Sequence, residues 1–262
     1  MSQRALLGAA LLVVSLVPAV PIEARAQAVA PGTAGSRGGA QPAQRASSDS
    51  GATLDPVTAQ RVVVPTRTDA RPEVDGRLDD EAWRSAARLT GLVQQMPLDG
   101  APASEQTDIY LSYDDDYLYV GVYAHYEDPS VMRANRVDRD RAVEDDLIRV
   151  FFDTFMDQQR GYTFEVNAYG VQGDGTISRS SGGGPVPSPD RSWNTLFETA
   201  GQVVEDGFTA EIAIPFKSLR YPGRRADEAH RWGFQVIREV KGKDGEVQVW
   251  APISRDDASF FA

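Results

Sequence analysis

From Arg61 onward apolar and polar positions alternate in short runs separated by turn chemistry, the pattern of strands that each bury one face. In YLYVGVYAH, Leu118, Val120, Val122 and Ala124 fall on one face; Tyr117, Tyr119, Tyr123 and His125 fall on the other. LIRVFFD separates Ile148, Val150 and Phe152 from Leu147, Arg149 and Phe151. YTFEVNAY separates Tyr162, Phe164, Val166 and Ala168 from Thr163, Glu165, Asn167 and Tyr169. In FTAEIAI, Phe208, Ala210, Ile212 and Ile214 alternate with Thr209, Glu211 and Ala213. WGFQVIREV and EVQVWAPI complete the set, with Gln235 and Glu239 on a mixed face. Asp114-Asp115-Asp116 and Asp206-Gly207 mark hairpin turns. One apolar and one mixed face per strand predicts an all-β fold, an antiparallel two-sheet β-sandwich of jelly-roll or immunoglobulin-like kind, with one short N-terminal helix.

That helix is predicted from VDGRLDDEAW, residues 74 to 83. Asp75-Gly76 reads as a turn and Asp79 as the N-cap, with Asp80 and Glu81 in the first helical turn, where carboxylates complement the dipole. Leu78 and Trp83 then occupy the two positions of a hydrophobic staple. Four carboxylates in front of a tryptophan therefore read as a helix start rather than an active site.

The periodicity is absent before Arg61. Arg4, an apolar run from Ala5 to Val17, Pro18, Pro21 and the Ala26-Gln27-Ala28 site read as a secretory signal over residues 1–28. The run is shorter than the ~20 residues a membrane span needs. Residues 29–60, rich in Ala, Gly, Ser, Pro and Gln, read as a disordered linker, and 61–262 as the sandwich. The chain stops just past a strand, so the expectation is that its C-terminus is incomplete. A second break, SRSSGGGPVPSPDRS at 178–192, reads as a flexible loop more than as a functional one.

Composition narrows the function. A formal charge of −11 speaks against a nucleic-acid partner, since that affinity comes from Lys and Arg releasing counterions. With no cysteine, an exported protein must rest on its core; the expected place is the periplasm, outer membrane or exterior. His125 and His230 are the only histidines and no G-x-S-x-G occurs, so a nucleophilic triad has no support. Glu165 and Glu211 could form a glycosidase pair only if they flank one cleft, which leaves a glycoside hydrolase acting on O-glycosyl bonds as an alternative. Acidic turns offer oxygen ligands for a structural calcium ion, with Asp114, Asp116, Asp145 and Asp146 as the candidates, though none follows an EF-hand loop. Tyr117, Tyr119 and Tyr123 could make a stacking platform, although tyrosines along a strand more often serve packing.

In order, VDGRLDDEAW, TDIYLSYDDDYLYVGVYAHYED, DDLIRVFFDTF, YTFEVNAYGVQGD, DGFTAEIAIPFKSLRY and WGFQVIREV resemble the family 9 carbohydrate-binding module. The resemblance is to the version found at the N-terminus of exported proteins whose C-terminal part resembles an outer-membrane β-barrel. It implies a non-catalytic β-sandwich, calcium in some members, and an oligosaccharide or polysaccharide partner held between two tryptophans over polar strands. The position of the first tryptophan falls near Val143, and those of three polar ligands near Arg149, Glu165 and Ile237. The second tryptophan is expected after Trp250, where this chain has SRDDASFFA. The residues so implicated in sugar binding are Arg149, Glu165, Asn167, Gln235 and Phe260. An alternative is a periplasmic or surface domain of a larger outer-membrane barrel protein, contacting protein or another ligand.

Overall fold

A computed structural model describes residues 10–14, 52–54, 61–179, 181, 186–225 and 228–253. Its strands are β1 (Ala10–Val14), β2 (Ala52–Leu54), β3 (Arg61–Val63), β4 (Thr66–Arg67), β5 (Ala87–Leu89), β6 (Val93–Met96), β7 (Thr107–Tyr113) and β8 (Tyr117–His125). They continue with β9 (Leu147–Asp153), β10 (Arg160–Val166), β11 (Gln172–Ser178), β12 (Glu198–Val204), β13 (Gly207–Pro215), β14 (His230–Val240) and β15 (Glu246–Val249). Among the described residues one α-helix, α1 (Glu81–Ser85), lies between β4 and β5.

The strands form a nine-stranded sheet, ordered β11-β10-β9-β14-β1-β3-β2 with β15 paired to β14 and β6 to β15, and a six-stranded sheet, β12-β13-β8-β7-β4 with β5 beside β7. Pairing is antiparallel except at β1–β3 and β4–β7, two short parallel contacts that the alternation does not reveal. β1 and β2 lie within the stretches read as leader and linker; the rest of residues 1–60 is outside the described residues.

The faces follow the period of two. Ile148, Val150, Phe152, Phe164 and Val166 of the large sheet pack against Leu118, Val120, Val122, Phe208, Ala210, Ile212 and Ile214 of the small one, all buried. At about 25 cal/mol per Å2 of apolar surface removed from water, this single core is the main stabilising term of a cysteine-free chain. Thr107, Asp174, Arg238, Glu246 and Gln248 break the apolar rule on the inner faces. Arg238 is fully buried on the inner side of β14, where its guanidinium donates to Gln106 O, Thr107 Oγ1 and His125 O and lies over the Tyr126 ring at 4.5 Å.

The opening motif is architecture, in a form the sequence did not disclose. Asp80, not Asp79, is the N-cap residue, and its side chain makes no cap hydrogen bond; Oδ2 instead accepts from Glu73 N. The motif docks on Glu211, a fully buried carboxylate on the outer face of β13. Glu211 Oε2 accepts from Asp75 N at 2.9 Å and Gly76 N at 2.7 Å, and Oε1 accepts from Trp83 Nε1 at 2.8 Å. Leu78 packs beside Trp83 as expected. Both occupy space left by Gly121, where a Cβ would come within 2.9 Å of Leu78 and 3.1 Å of Trp83.

A seam closes one edge of the sandwich. Gly76 (φ +91) sits against Gly201 of β12 from the outside, and the turn at Gly170 (φ +75) presses on the same strand from the inside. A Cβ on Gly201 would be 2.5 Å from Gly170 N, so three backbones stack there with no side chain between them.

Burial raises the Glu211 carboxyl to about 7, against the opposing N–H groups of Gly76, Trp83 and Asp75. The folded chain then keeps a proton that the unfolded chain releases near its ordinary value of 4.5. Stability is greatest below pH 4.5 for this group and falls as pH rises through 7. Urea titrations should show about 2 kcal/mol less stability at pH 8 than at pH 5 from this group, a slope that Glu211→Leu removes. An identical slope in the variant would refute this assignment.

Candidate functional site

The mixed face of the large sheet points away from the core. Register places Glu165 opposite Arg149 across β10 and β9, and Arg149 opposite Ile237 across β9 and β14, with Glu239 one pair further along that face. Arg149 Nε is 3.5 Å from Glu165 Oε1, and Arg149 Nη2 is 2.9 Å from Glu239 Oε1. Arg149 and Glu165, which alternation puts on the mixed faces of their strands, are therefore cross-strand neighbours.

It is the centre of a longer alternation of charge. Lys241 Nζ meets Glu239 Oε2 at 2.6 Å; Glu165 Oε2 meets Arg191 Nη2 at 2.8 Å; Arg191 Nη1 meets Asp140 Oδ1 at 3.0 Å. Arg139 continues it round the edge of β11, 3.9 Å from Asp140 and 2.5 Å from Asp174. Four cations and four anions thus alternate. Arg191 comes from the 178–192 segment read as flexible. Through its described residues that segment bridges β11, with Asp190 beside Thr176, and holds Glu165 through Arg191.

This face is not a solvated surface. Arg149, Glu165 and Glu239 are 8%, 3% and 7% exposed, and Phe151, Ile177, Ile237, Val247 and Val249 form an apolar cluster beside them. Four polar atoms in this recess, Arg149 Nε, Thr163 Oγ1, Glu165 Oε1 and Glu239 Oε1, are buried without a hydrogen bond. The charged groups are close enough to attract one another but are not aligned to share protons.

Two predicted ligands are committed elsewhere. Asn167 is fully buried, donates to Asn135 O and Asp145 Oδ2 and accepts from Tyr169 N and Val171 N, which uses every hydrogen-bonding position of its amide. Gln235 clasps the Ala251 backbone, Nε2 to O at 2.6 Å and N to Oε1 at 2.9 Å. Both shape the site and do not line it. Phe260 lies outside the described residues.

The proposed calcium ligands are not brought together. Asp114 lies at the β7–β8 turn, where Oδ1 accepts from Asp116 N and Tyr117 N and Oδ2 from Tyr119 OH. Asp116 has no side-chain bond to this group. Asp145 accepts from Asn135 N, Asn135 Nδ2 and Asn167 Nδ2, and Asp146 from Tyr126 OH, Arg133 N and Lys241 N. Oxygens already facing N–H and O–H donors do not fit a cation, and among the described residues no group of three or more His, Asp or Glu converges on one point.

The carboxylates offered as a glycosidase pair lie on different sheets, Glu165 on β10 and Glu211 on β13, each facing outward, so they cannot flank one bond. The tyrosine face is used internally: Tyr119 is fully buried, Tyr117 stacks on it at 5.9 Å, and Tyr123 stacks on His125 at 3.9 Å.

Comparison with known proteins agrees with this fold. A family model described as carbohydrate family 9 binding domain-like matches residues 74–257. Endo-1,4-beta-xylanase C of Paenibacillus barcinonensis is 30% identical over 149 residues, 57% of this chain. The match covers 12% of that much longer protein. Among solved structures, a Bacteroides uniformis protein provisionally assigned as carbohydrate-binding gives a TM-score of 0.55 at 11% identity, covering 75% of this chain and 92% of its own. A family 9 module from Caldicellulosiruptor kristjanssonii in complex with cellotriose gives 0.49 at 16% identity, covering 71% and 82%. With residues 74–257, most of its length, inside the family model, the chain belongs to the carbohydrate family 9 binding domain-like family.

Proposed function

We propose that this chain is a non-catalytic carbohydrate-binding module of an exported protein, and that saccharide is held on the outer face of the large sheet around Arg149, Glu165 and Glu239. The observation that carries the reading is the set of buried polar atoms without hydrogen bonds on that face. Native interiors leave few such atoms, and a hydroxyl-rich ligand supplies both donors and acceptors for them. Arg149 would donate Nε–H to a ring or hydroxyl oxygen while Glu165 and Glu239 accept from neighbouring hydroxyls. Export is supported by the apolar run and A-x-A site of residues 1–28. The small share of the xylanase that this chain matches is consistent with a module carried by a larger secreted or envelope protein, of which a barrel-linked protein is one form.

Calorimetric titration with xylo- and cello-oligosaccharides tests the reading. Binding is expected for at least one series, weakened about tenfold by Arg149→Lys, which keeps the charge but loses the planar fork. Absence of heat with every neutral oligosaccharide would overturn it.

A further inference from the structure

A cavity of about 500 Å3 is lined by the β9–β10 connection, β10, β11, Trp193 and Arg220. Its volume lies in the range typical of small-molecule sites. Three aromatic rings border it. Trp193, half-buried, packs on Tyr162 at 4.8 Å and meets Phe164 edge-on at 6.0 Å, so its plane is set by the core. Phe155 is exposed, with the Arg160 guanidinium 5.0 Å from its ring centre.

The second feature is charge. The chain carries −11 overall, and eight of its nineteen described arginines are paired with a carboxylate. Arg160 and Arg220 both line the cavity, and among the described residues neither has a carboxylate partner. Arg220 is held in place through its backbone: Thr154 Oγ1 donates to its carbonyl at 2.6 Å and its N–H donates to Tyr162 Oη at 3.3 Å. That leaves the Tyr162 hydroxyl proton free to donate into the cavity.

Fixed aromatic faces take the C–H side of a sugar ring, and two unpaired guanidiniums take a carboxylate. We infer that this cavity is a second saccharide site, for a sugar residue bearing a carboxylate, a uronic acid within a glycan chain. The inference rests on the carbohydrate-binding reading but uses none of Arg149, Glu165 and Glu239; Ile177 alone borders both places.

The test compares a uronic-acid oligosaccharide, such as oligogalacturonate, with a neutral xylo-oligosaccharide of equal length, on the full chain. The acidic ligand is expected to bind about tenfold more tightly, with an advantage that shrinks at high salt. Arg160→Gln combined with Arg220→Gln should erase the preference; both side chains are exposed, so folding is unaffected and circular dichroism will confirm it. Trp193→Ala should weaken the acidic ligand further, and Arg84→Gln, an exposed position on α1 against the other sheet, should leave it unchanged. Equal affinity for both ligands, or loss of acidic binding on Arg84→Gln alone, would overturn the inference. Neutral ligand failing while the acidic one binds would remove the outer-face reading and leave this one standing.

Discussion

Replacing Trp83 with alanine should cost about 4 kcal/mol and lower the melting temperature by about 10 °C. Three losses combine. The indole is 4% exposed and sits with Ala86, Tyr119 and Ala213 in a small cluster on the outer face of the small sheet, so its removal leaves a cavity. The indole N–H is a donor to Glu211, so the buried carboxyl loses a partner. The Asp75-Gly76 turn, whose N–H groups share that carboxyl, loses the helix that pins it. Trp83→Phe keeps most of the volume and should cost only about 1–2 kcal/mol, the share of the hydrogen bond. An alanine variant melting with the parent would show that the motif is not a structural anchor.

Replacing Arg149 with methionine should cost about 3 kcal/mol, measured by urea unfolding at neutral pH. Arg149 stands between Glu165 and Glu239, and its removal leaves two buried carboxylates each short of a cation. The cost sits at the lower end of what breaking a buried ion pair brings, because Arg191 and Lys241 still hold the far oxygens. Adding Glu165→Leu and Glu239→Leu should restore most of the loss, since well-packed apolar groups need no partner. If the triple variant is less stable than Arg149→Met alone, the charges stabilise the face beyond their mutual pairing and this account is wrong.

The fold was legible because burial imposes a period of two on every strand. The inner faces of β8, β9, β10 and β13 hold the residues that alternation assigns to them. That Arg149 and Glu165 leave their strands on mixed faces was legible for the same reason; that β9 and β10 are neighbours, which brings the charges together, is what the structure adds. The role of Glu211 was not. Its partners lie 128 to 136 residues earlier, and no local pattern marks a carboxylate as the seat of a distant turn.

Depth was equally hidden. Alternation tells which way Asn167 and Gln235 leave their strands but not that a turn and the Ala251 backbone have already claimed them. Arg191 and Trp193 were missed because they follow a Gly/Pro/Ser stretch, whose composition argues for freedom. The one available signal was the residues themselves: an arginine and a tryptophan are costly to leave unused after such a loop.

The seam of Gly76, Gly170 and Gly201 bears on how the molecule is cut. A protease must draw several residues of extended chain into its cleft, which requires the segment to lift from its surroundings. Gly201 and its neighbours lie near the surface, yet backbones close on both sides of the strand, and lifting it means parting two turns at once. Glycines usually mark chain that digests first. Here they mark a segment that should be among the last to be nicked, so a digest that spares residues 199–202 would report an intact sandwich edge.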